Sequence, residues 1–396
     1  MMQISPETQL FIREHSSDDV RVLALQAKKF PDIDMPTAIT QIAGRKVAAE
    51  KIPSWWEIEK IWYPKHLSLE QCSSEITARY KARLLQGDSL TDLTGGFGID
   101  CSFLATGFKS ATYVERQEEL CEIAAHNFPV LNLNHINIRN EDGVTYLQAM
   151  SPVDCLFLDP ARRNEHGGKT VAISDCEPNV AELEELLLQK ANRVMIKLSP
   201  MLDLSLALKE LKQTQEVHIL SVNNECKELL ILLGQTSPAE ISIHCVNLFT
   251  KGTQKEQHFV FTREQEQCSE CTYTDSLETY LYEPNASLLK AGAFRSIAAA
   301  YPVRKLHPNS HLYTSDTFIE NFPGRIFRIV NQCSFNKKEV KENLAGLKKA
   351  NVTVRNFPAT VAELRKRIHL AEGGDTYLFA STLNNGQKVL IRCEKV

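Results

Sequence analysis

Apolar residues follow two rhythms along this chain. Over residues 1 to about 85 they recur at helical spacing, in Phe11 to Leu23 and Thr37 to Glu50, until Lys51-Ile-Pro-Ser-Trp-Trp-Glu interrupts them. A further helix is predicted from Leu67 to Lys81, with Ser68 as N-cap and Gln71 completing a capping box. From Leu90 to about Gly234 the texture changes to short apolar runs alternating with amphipathic stretches, which predicts a parallel sheet with helical crossovers. The runs are Ala111 to Glu115, a strand closed by Glu141-Asp142-Gly143, Val153 to Leu158 and Arg193 to Ser199. Val217 to Val222 and Glu228 to Leu233 supply an antiparallel last pair, and Ile241 to Leu248 with His258 to Thr262 a further hairpin. The tail reads β-α-β-α-β.

Composition narrows the class. The chain has 396 residues, 43% of them hydrophobic, which is enough for two or three domains with real cores. It contains no run of about 18 consecutive apolar residues, so no membrane span is expected. The start, Met-Met-Gln-Ile-Ser-Pro-Glu, lacks a basic and apolar leader pattern. Eleven cysteines form no paired framework, and Cys101, Cys121, Cys155 and Cys245 sit in apolar contexts. A cytoplasmic protein with reduced thiols is the expectation. Cys268-Ser-Glu-Cys271 has the spacing of zinc ligands, but no second pair or histidine couple follows nearby, and no metal is expected.

The chemistry concentrates at the predicted strand ends. Thr91-Asp-Leu-Thr-Gly-Gly-Phe-Gly-Ile-Asp100 reads as a short strand, a glycine turn and a helix start. Asp92 ends that strand, while Gly95, Gly96 and Gly98 let a ligand approach the backbone. The next strand ends 23 residues on in Glu115, placed to accept hydrogen bonds from a ribose diol. Asp142 follows the third strand, and the fourth runs into Asp159-Pro160-Ala161-Arg162. Four successive strands with polar C-terminal ends match the edge at which open α/β sheets bind ligands.

These features resemble motifs I to IV of the class I S-adenosylmethionine-dependent methyltransferases, over roughly Leu67 to Gly234. The resemblance implies a Rossmann-like α/β sheet and S-adenosylmethionine as cofactor. It places the methionine and ribose portion near Asp92, Gly95, Gly96 and Gly98, the ribose hydroxyls on Glu115 and the adenine amino group near Asp142. Gln71 and Ser73, in Leu67-Ser-Leu-Glu-Gln-Cys-Ser-Ser-Glu, would close over the methionine end. Asp159, itself beside the cofactor, would orient the nucleophile or accept its proton; Arg162 would hold a phosphate or base edge, and Lys197 would polarise the acceptor or meet the cofactor carboxylate. Arg162 stands where exocyclic-amine methyltransferases carry a stacking aromatic ring. Uracil-5 enzymes share an Asp-Pro-x-Arg sequence but need a cysteine after the fifth strand, where this chain has Lys197-Leu-Ser-Pro200. Direct transfer to nitrogen or oxygen is therefore expected.

Past Cys271 the chain resembles a bacterial methyltransferase group with a ferredoxin-like insert and a terminal THUMP-like domain. Tyr282-Glu-Pro-Asn-Ala-Ser-Leu-Leu-Lys-Ala-Gly carries that likeness, as do Arg325-Ile-Phe-Arg-Ile-Val and Tyr377-Leu-Phe-Ala-Ser-Thr. The expected division is a helical region over 1–85, the methyltransferase domain over 86–275, a ferredoxin-like segment over 276–324 and a THUMP-like domain over 325–396. THUMP domains accompany RNA-modifying enzymes, so the resemblance implies RNA, as tRNA or rRNA, rather than DNA. Charge points the same way. Arg325 to Val396 holds fourteen Lys/Arg against six Asp/Glu, a net of +8; with −4 for the whole chain, the body carries −12. Lys337, Lys338, Lys341, Lys348 and Lys349 cluster on one helix, and Arg365-Lys-Arg367 on the next. Two other readings stay open: a methyltransferase for a small molecule or protein, and a non-catalytic cofactor-binding module associated with RNA. The sequence leaves the oligomeric state open.

Overall fold

The computed structural model describes residues 4–162, 172–236 and 238–396, with Arg162 described in its backbone only. The chain divides into two compact units, one of Met1–Glu216 with Leu229–Pro238, the other of Val217–Glu228 with Ala239–Val396.

The first unit opens with α1 (Pro6–Glu14), α2 (Val20–Leu25), α3 (Met35–Lys51), α4 (Pro53–Trp56), α5 (His66–Gln71) and α6 (Glu75–Ala82). Side-chain oxygens of Ser5, Asp19 and Asp34 cap the first three, satisfying amides the helices leave free. Trp55, Tyr63 and Leu69 pack with Phe97, Ile99 and Ile123 in one buried cluster, which anchors the helical region on the elements that follow. The helix predicted from Leu67 to Lys81 is in fact two. Lys65, not Ser68, is the N-cap of α5, and Cys72 turns extended at φ −66°, ψ 160°. The break turns Ser73 inward, where its hydroxyl bonds a buried aspartate instead of the helix backbone.

Then come β1 (Ser89–Asp92), α7 (Ile99–Ala105), β2 (Ser110–Glu115), α8 (Glu118–Val130), β3 (Ile136–Asn140), α9 (Gly143–Ala149) and β4 (Val153–Leu158). Two short strands, β5 (Ala161–Arg162) and β6 (Cys176–Glu177), pair with each other. They lead to α10 (Val180–Lys190), β7 (Ala191–Leu198), α11 (Leu204–Glu210) and the hairpin β8 (Thr214–Val222) and β9 (Glu225–Gly234). Over these elements the strand order is β8-β9-β7-β4-β1-β2-β3, seven strands of a nine-stranded sheet. All neighbours from β7 to β3 are parallel, and β9 is antiparallel to β7. The central strands are buried along most of their length, as expected for a sheet covered on both faces. The order reverses at β1, between β4 and β2, so the crevice for a ligand opens at the C-terminal ends of these strands.

The second unit takes the tip of the β8–β9 hairpin and adds β10 (Ser242–Leu248), β11 (Glu256–Thr262), α12 (Arg263–Cys268), β12 (Tyr280–Pro284), α13 (Ala286–Ala291), α14 (Ser296–Ala300), β13 (Arg304–Lys305) and β14 (Tyr313–Ser315). It ends in β15 (Gly324–Ser334), α15 (Lys337–Asn343), β16 (Asn351–Arg355), α16 (Val361–Ile368), β17 (Thr376–Thr382) and β18 (Lys388–Lys395). A seven-stranded sheet runs β13-β14-β12-β15-β18-β17-β16. The tail therefore has one strand more than its predicted β-α-β-α-β. β18 inserts between β15 and β17, burying Val389, Ile391 and Cys393 with Phe327 and Phe379. Glu283 on β12 lies opposite Arg325 on β15 and is 1% exposed. Its carboxylate takes the guanidinium of Arg325 on one oxygen and that of Arg355, at 3.1 Å, on the other. Among the described residues no helix is long and apolar enough to cross a membrane.

Candidate active site

The glycine turn after β1 is shaped by packing as well as by conformation. A Cβ on Gly95 would lie 2.2 Å from the Tyr113 ring, so only glycine fits against β2 there. Gly96, at φ 53°, lies in the left-handed region, and a Cβ there would meet nothing closer than 3.8 Å. That open space is a cradle beside the backbone of the turn. Gly98, at φ 88°, starts α7.

The acids at the strand ends gather around this turn. Asp92 is 1% exposed; Oδ1 accepts the Thr94 amide at 2.9 Å, while Oδ2 is buried without a hydrogen-bond partner. Burial, reinforced by Asp100 and Asp159 nearby, pushes its carboxyl up to about 8. Glu115 holds the turn directly, accepting from the Gly96 amide at 2.9 Å on one oxygen and the Gln117 amide at 2.8 Å on the other. Asp142 caps α9 through Oδ1, which accepts from the amides of Val144 and Thr145. The following residue, Gly143, packs so closely on the Leu93 carbonyl that a Cβ would sit 2.2 Å from that oxygen, which fixes α9 beside the turn. Asp159 donates its amide to Thr94 Oγ1 at 2.6 Å, joining the end of β4 to the end of β1.

Beneath them lies a network that sequence reading did not find. Asp100, on the first turn of α7, is ion-paired to Lys81 at 3.0 Å and to Lys197 at 3.2 Å. Ser73 donates to Asp100 at 2.7 Å and accepts from both lysines, at 2.9 and 3.0 Å. Burial would raise the Asp100 carboxyl, but Lys197 and Lys81 hold it well below the usual carboxylate range. Lys197 also reaches Asp159 Oδ2 at 2.6 Å. Desolvation raises Asp159, and the Lys197 ammonium draws it back; its side chain is 37% exposed. Lys81 is wholly buried on α6 beside Thr77 and Ala78, so a charge on an otherwise apolar helix face was the available signal. Asp100 was visible only as the end of the glycine motif.

Of the residues singled out from sequence, Ser73, Asp92, Gly95, Gly96, Gly98, Glu115, Asp142, Asp159 and Lys197 belong to this constellation. Gln71 ends α5 on the exposed surface, and no hydrogen bond among the described residues ties it to the network. The Arg162 side chain lies outside the described residues. Burial raises the thiols of Cys155 and Cys226 to about 11 each; Cys155 lies mid-strand, opposite Leu90 and Arg193. Cys268 is exposed and Cys271 partly so, and no metal-holding group among the described residues includes either.

A parallel sheet reversing at its glycine turn, followed by an antiparallel last pair and lined at its strand ends by acids, defines a class I methyltransferase fold. The chain is similar over its whole length to a candidate methyltransferase from Porphyromonas gingivalis W83, at 34% identity, 100% coverage of both chains and a TM-score of 0.87. Residues 280–323 match a ferredoxin-like domain family and residues 324–395 a THUMP domain-like family. This protein belongs to the family of methyltransferases with that ferredoxin-like segment and THUMP-like C-terminal domain. An rRNA methylase from Streptococcus thermophilus (14% identity, 40% of this chain and 93% of that one, TM-score 0.30) is also similar. So is a Streptococcus mutans candidate methyltransferase in complex with SAH (14%, 40% and 96%, TM-score 0.30). Both likenesses are too slight to carry an argument. A comparison with curated proteins finds no match.

Proposed function

We propose that this protein transfers a methyl group from S-adenosylmethionine directly to a nitrogen or oxygen of an RNA nucleotide. The observation that carries the reading is the convergence of Asp92, Glu115, Asp142 and Asp159 on one glycine turn. The fit to the cofactor rests on the orphaned Asp92 Oδ2 and the open cradle at Gly96. Glu115 would hold the ribose, Asp142 the adenine side, and Asp92 with the turn backbone the methionine portion. When bound, the cofactor supplies an electrophilic methyl group.

The protein's own residues do the rest. Asp159 orients the acceptor and takes the proton it loses, a role suited to a carboxyl raised by desolvation and partly exposed. Lys197 and Asp100 act as positioning residues, fixing Asp159 against the sheet. Cysteine chemistry is disfavoured, because β7 ends without a thiol and burial keeps Cys155 and Cys226 protonated at neutral pH. RNA is favoured by the THUMP-like match and by the exposed Lys337, Lys338, Lys341, Lys348 and Lys349.

The test is transfer of labelled methyl from S-adenosylmethionine to total RNA from cells lacking the protein, with nucleoside mass spectrometry of the product. Label in RNA that is absent with Asp159→Ala supports the reading; label only in protein or small molecules overturns the substrate. Reversing Lys337, Lys338 and Lys341 to Glu should weaken RNA binding and flatten log affinity against log salt by roughly 0.7–0.9 for each phosphate no longer neutralised. An unchanged slope would remove RNA capture from this helix.

A further inference from the structure

We propose that a cavity in the second unit, walled by Phe357 and Lys388, holds one unpaired nucleotide of the RNA, with its base on the Phe357 ring and its phosphate on the Lys388 ammonium. The inference rests on the RNA reading above and adds to it a single-stranded contact far along the chain from the glycine turn. The cavity has a volume of about 450 Å³ and is lined by Val354, Asn356, Phe357, Pro358, Thr382 and Lys388. β16 and β17 run parallel and are joined by α16. Thr382 ends β17 and Asn356 follows the end of β16, so the cavity lies at the carboxyl ends of a β-α-β unit, the edge at which such units leave room for a ligand.

The lining combines the two parts that unpaired nucleotides need, an aromatic surface and a cation. Phe357 is half-buried: it packs against the cluster of Leu344 and Leu364 and also lines the cavity. Phe335 braces it edge-on, with centroids 4.9 Å apart and planes at 88°. Lys388 is exposed, and its ammonium has no ion pair among the described residues. The Phe335 amide bonds the Lys388 carbonyl at 3.3 Å, which brings the start of α15, with the exposed Lys337 and Lys338, beside the same cavity. Basic helix and aromatic cavity thus adjoin each other.

Asn356 supplies the means of telling bases apart. It sits at φ 51°, a left-handed conformation that asparagine adopts more readily than most side chains. Its carbonyl accepts the Thr382 hydroxyl at 2.5 Å. Its side chain lies 2.9 Å from His307 Nδ1, and that nitrogen already accepts the Asn309 amide at 3.0 Å. Nδ1 is therefore an acceptor, and the Asn356 NH₂ group must face it. Asn356 Oδ1 accepts from no donor among the described residues, so it is left to take an N–H of the ligand. A base with an exocyclic amine, such as cytosine, offers that donor at the position where uracil carries a carbonyl.

The experiment measures binding of fluorescent hexacytidylate and hexauridylate to the full-length protein by anisotropy, with a blunt RNA duplex for comparison and no S-adenosylmethionine present. Hexacytidylate should bind about fivefold more tightly than hexauridylate, the effect of one hydrogen bond. Phe357→Leu, which keeps an apolar side chain in the cluster, should weaken hexacytidylate about tenfold and duplex binding little. Lys388→Ala, an exposed change, should weaken hexacytidylate and lower its slope of log affinity against log salt by roughly 0.7. No binding by the parent, equal binding of the two hexamers, or hexacytidylate affinity unchanged in both variants would overturn the proposal. Competition by free CMP as strong as by hexacytidylate would also do so, since the cavity would then serve a small molecule. Methyl transfer to RNA is scored separately: label still incorporated while these measurements fail would remove the cavity alone, and hexamer binding without label would fault the activity alone.

Discussion

Two buried carboxylates in this molecule are each flanked by two cations, and they differ in what else surrounds them. Glu283, in the seven-stranded sheet, meets Arg325 and Arg355, and both of its oxygens are occupied. Asp100, under the glycine turn, meets Lys81 and Lys197, but Lys197 is shared with Asp159, and Asp92 stands nearby with an orphaned oxygen. The first arrangement is closed, since excess positive charge reaches water through guanidiniums that are about a third exposed. The second holds acids that its cations do not saturate, one of them pushed up to about 8. A carboxylate used for structure is satisfied; neighbouring acids left partly unsatisfied mark a candidate site.

Breaking each arrangement should have opposite signatures. Asp159→Asn preserves shape but removes the proposed proton acceptor, so the rate of methyl transfer should drop about 10²–10⁴-fold with little change in melting temperature. Activity assays beside thermal melts check this, and an active Asn variant would leave Asp159 without its catalytic role. Glu283→Ala should do the reverse. It should cost roughly 3 kcal/mol of stability, the lower end for breaking a buried pair because both arginines still reach water, and leave cofactor affinity unchanged. Chemical denaturation and a cofactor titration on the same variant read both.

Asp92 offers a finer test. Its folded-state carboxyl is raised to about 8 from 3.8, so the native protein binds a proton there that the unfolded chain has released. The stability associated with that proton is fully present below pH 3.8 and is lost as pH rises through about 8. Asp92→Asn has no charge to bury, so it should gain stability relative to the parent between pH 5 and pH 8. Parallel denaturation curves at the two values check the sign; a gap independent of pH would mean that Asp92 is already ionised at the lower pH.

Much of the open site was legible because its acids sit at fixed landmarks. Asp92, Glu115 and Asp159 close or follow apolar runs, and Asp142 precedes a glycine that starts a helix, so local pattern alone places them. The six-helix entry and the tail were legible less completely. Nothing in the sequence around Leu67 signals that the helix breaks at Cys72, since the reason is a hydrogen bond from Ser73 to a residue 27 positions away. Lys81 and Asp100 were missed for the same cause: their roles depend on α6 and α7 packing together, a tertiary fact. β18 also escaped, although it forms an antiparallel hairpin with β17 across the Asn385-Gly386 turn as well as pairing with the distant β15.

The measurement that bears most directly on the central claim is calorimetric titration of the full-length protein with S-adenosylmethionine. The parent should bind one equivalent, and Asp159→Asn should retain that binding. Glu115→Ala should lose on the order of 1.5–3 kcal/mol, as for a hydrogen bond to a charged group. No binding by the parent, or equal affinity in Glu115→Ala, would contradict the assignment of the glycine turn and its acids as the cofactor site.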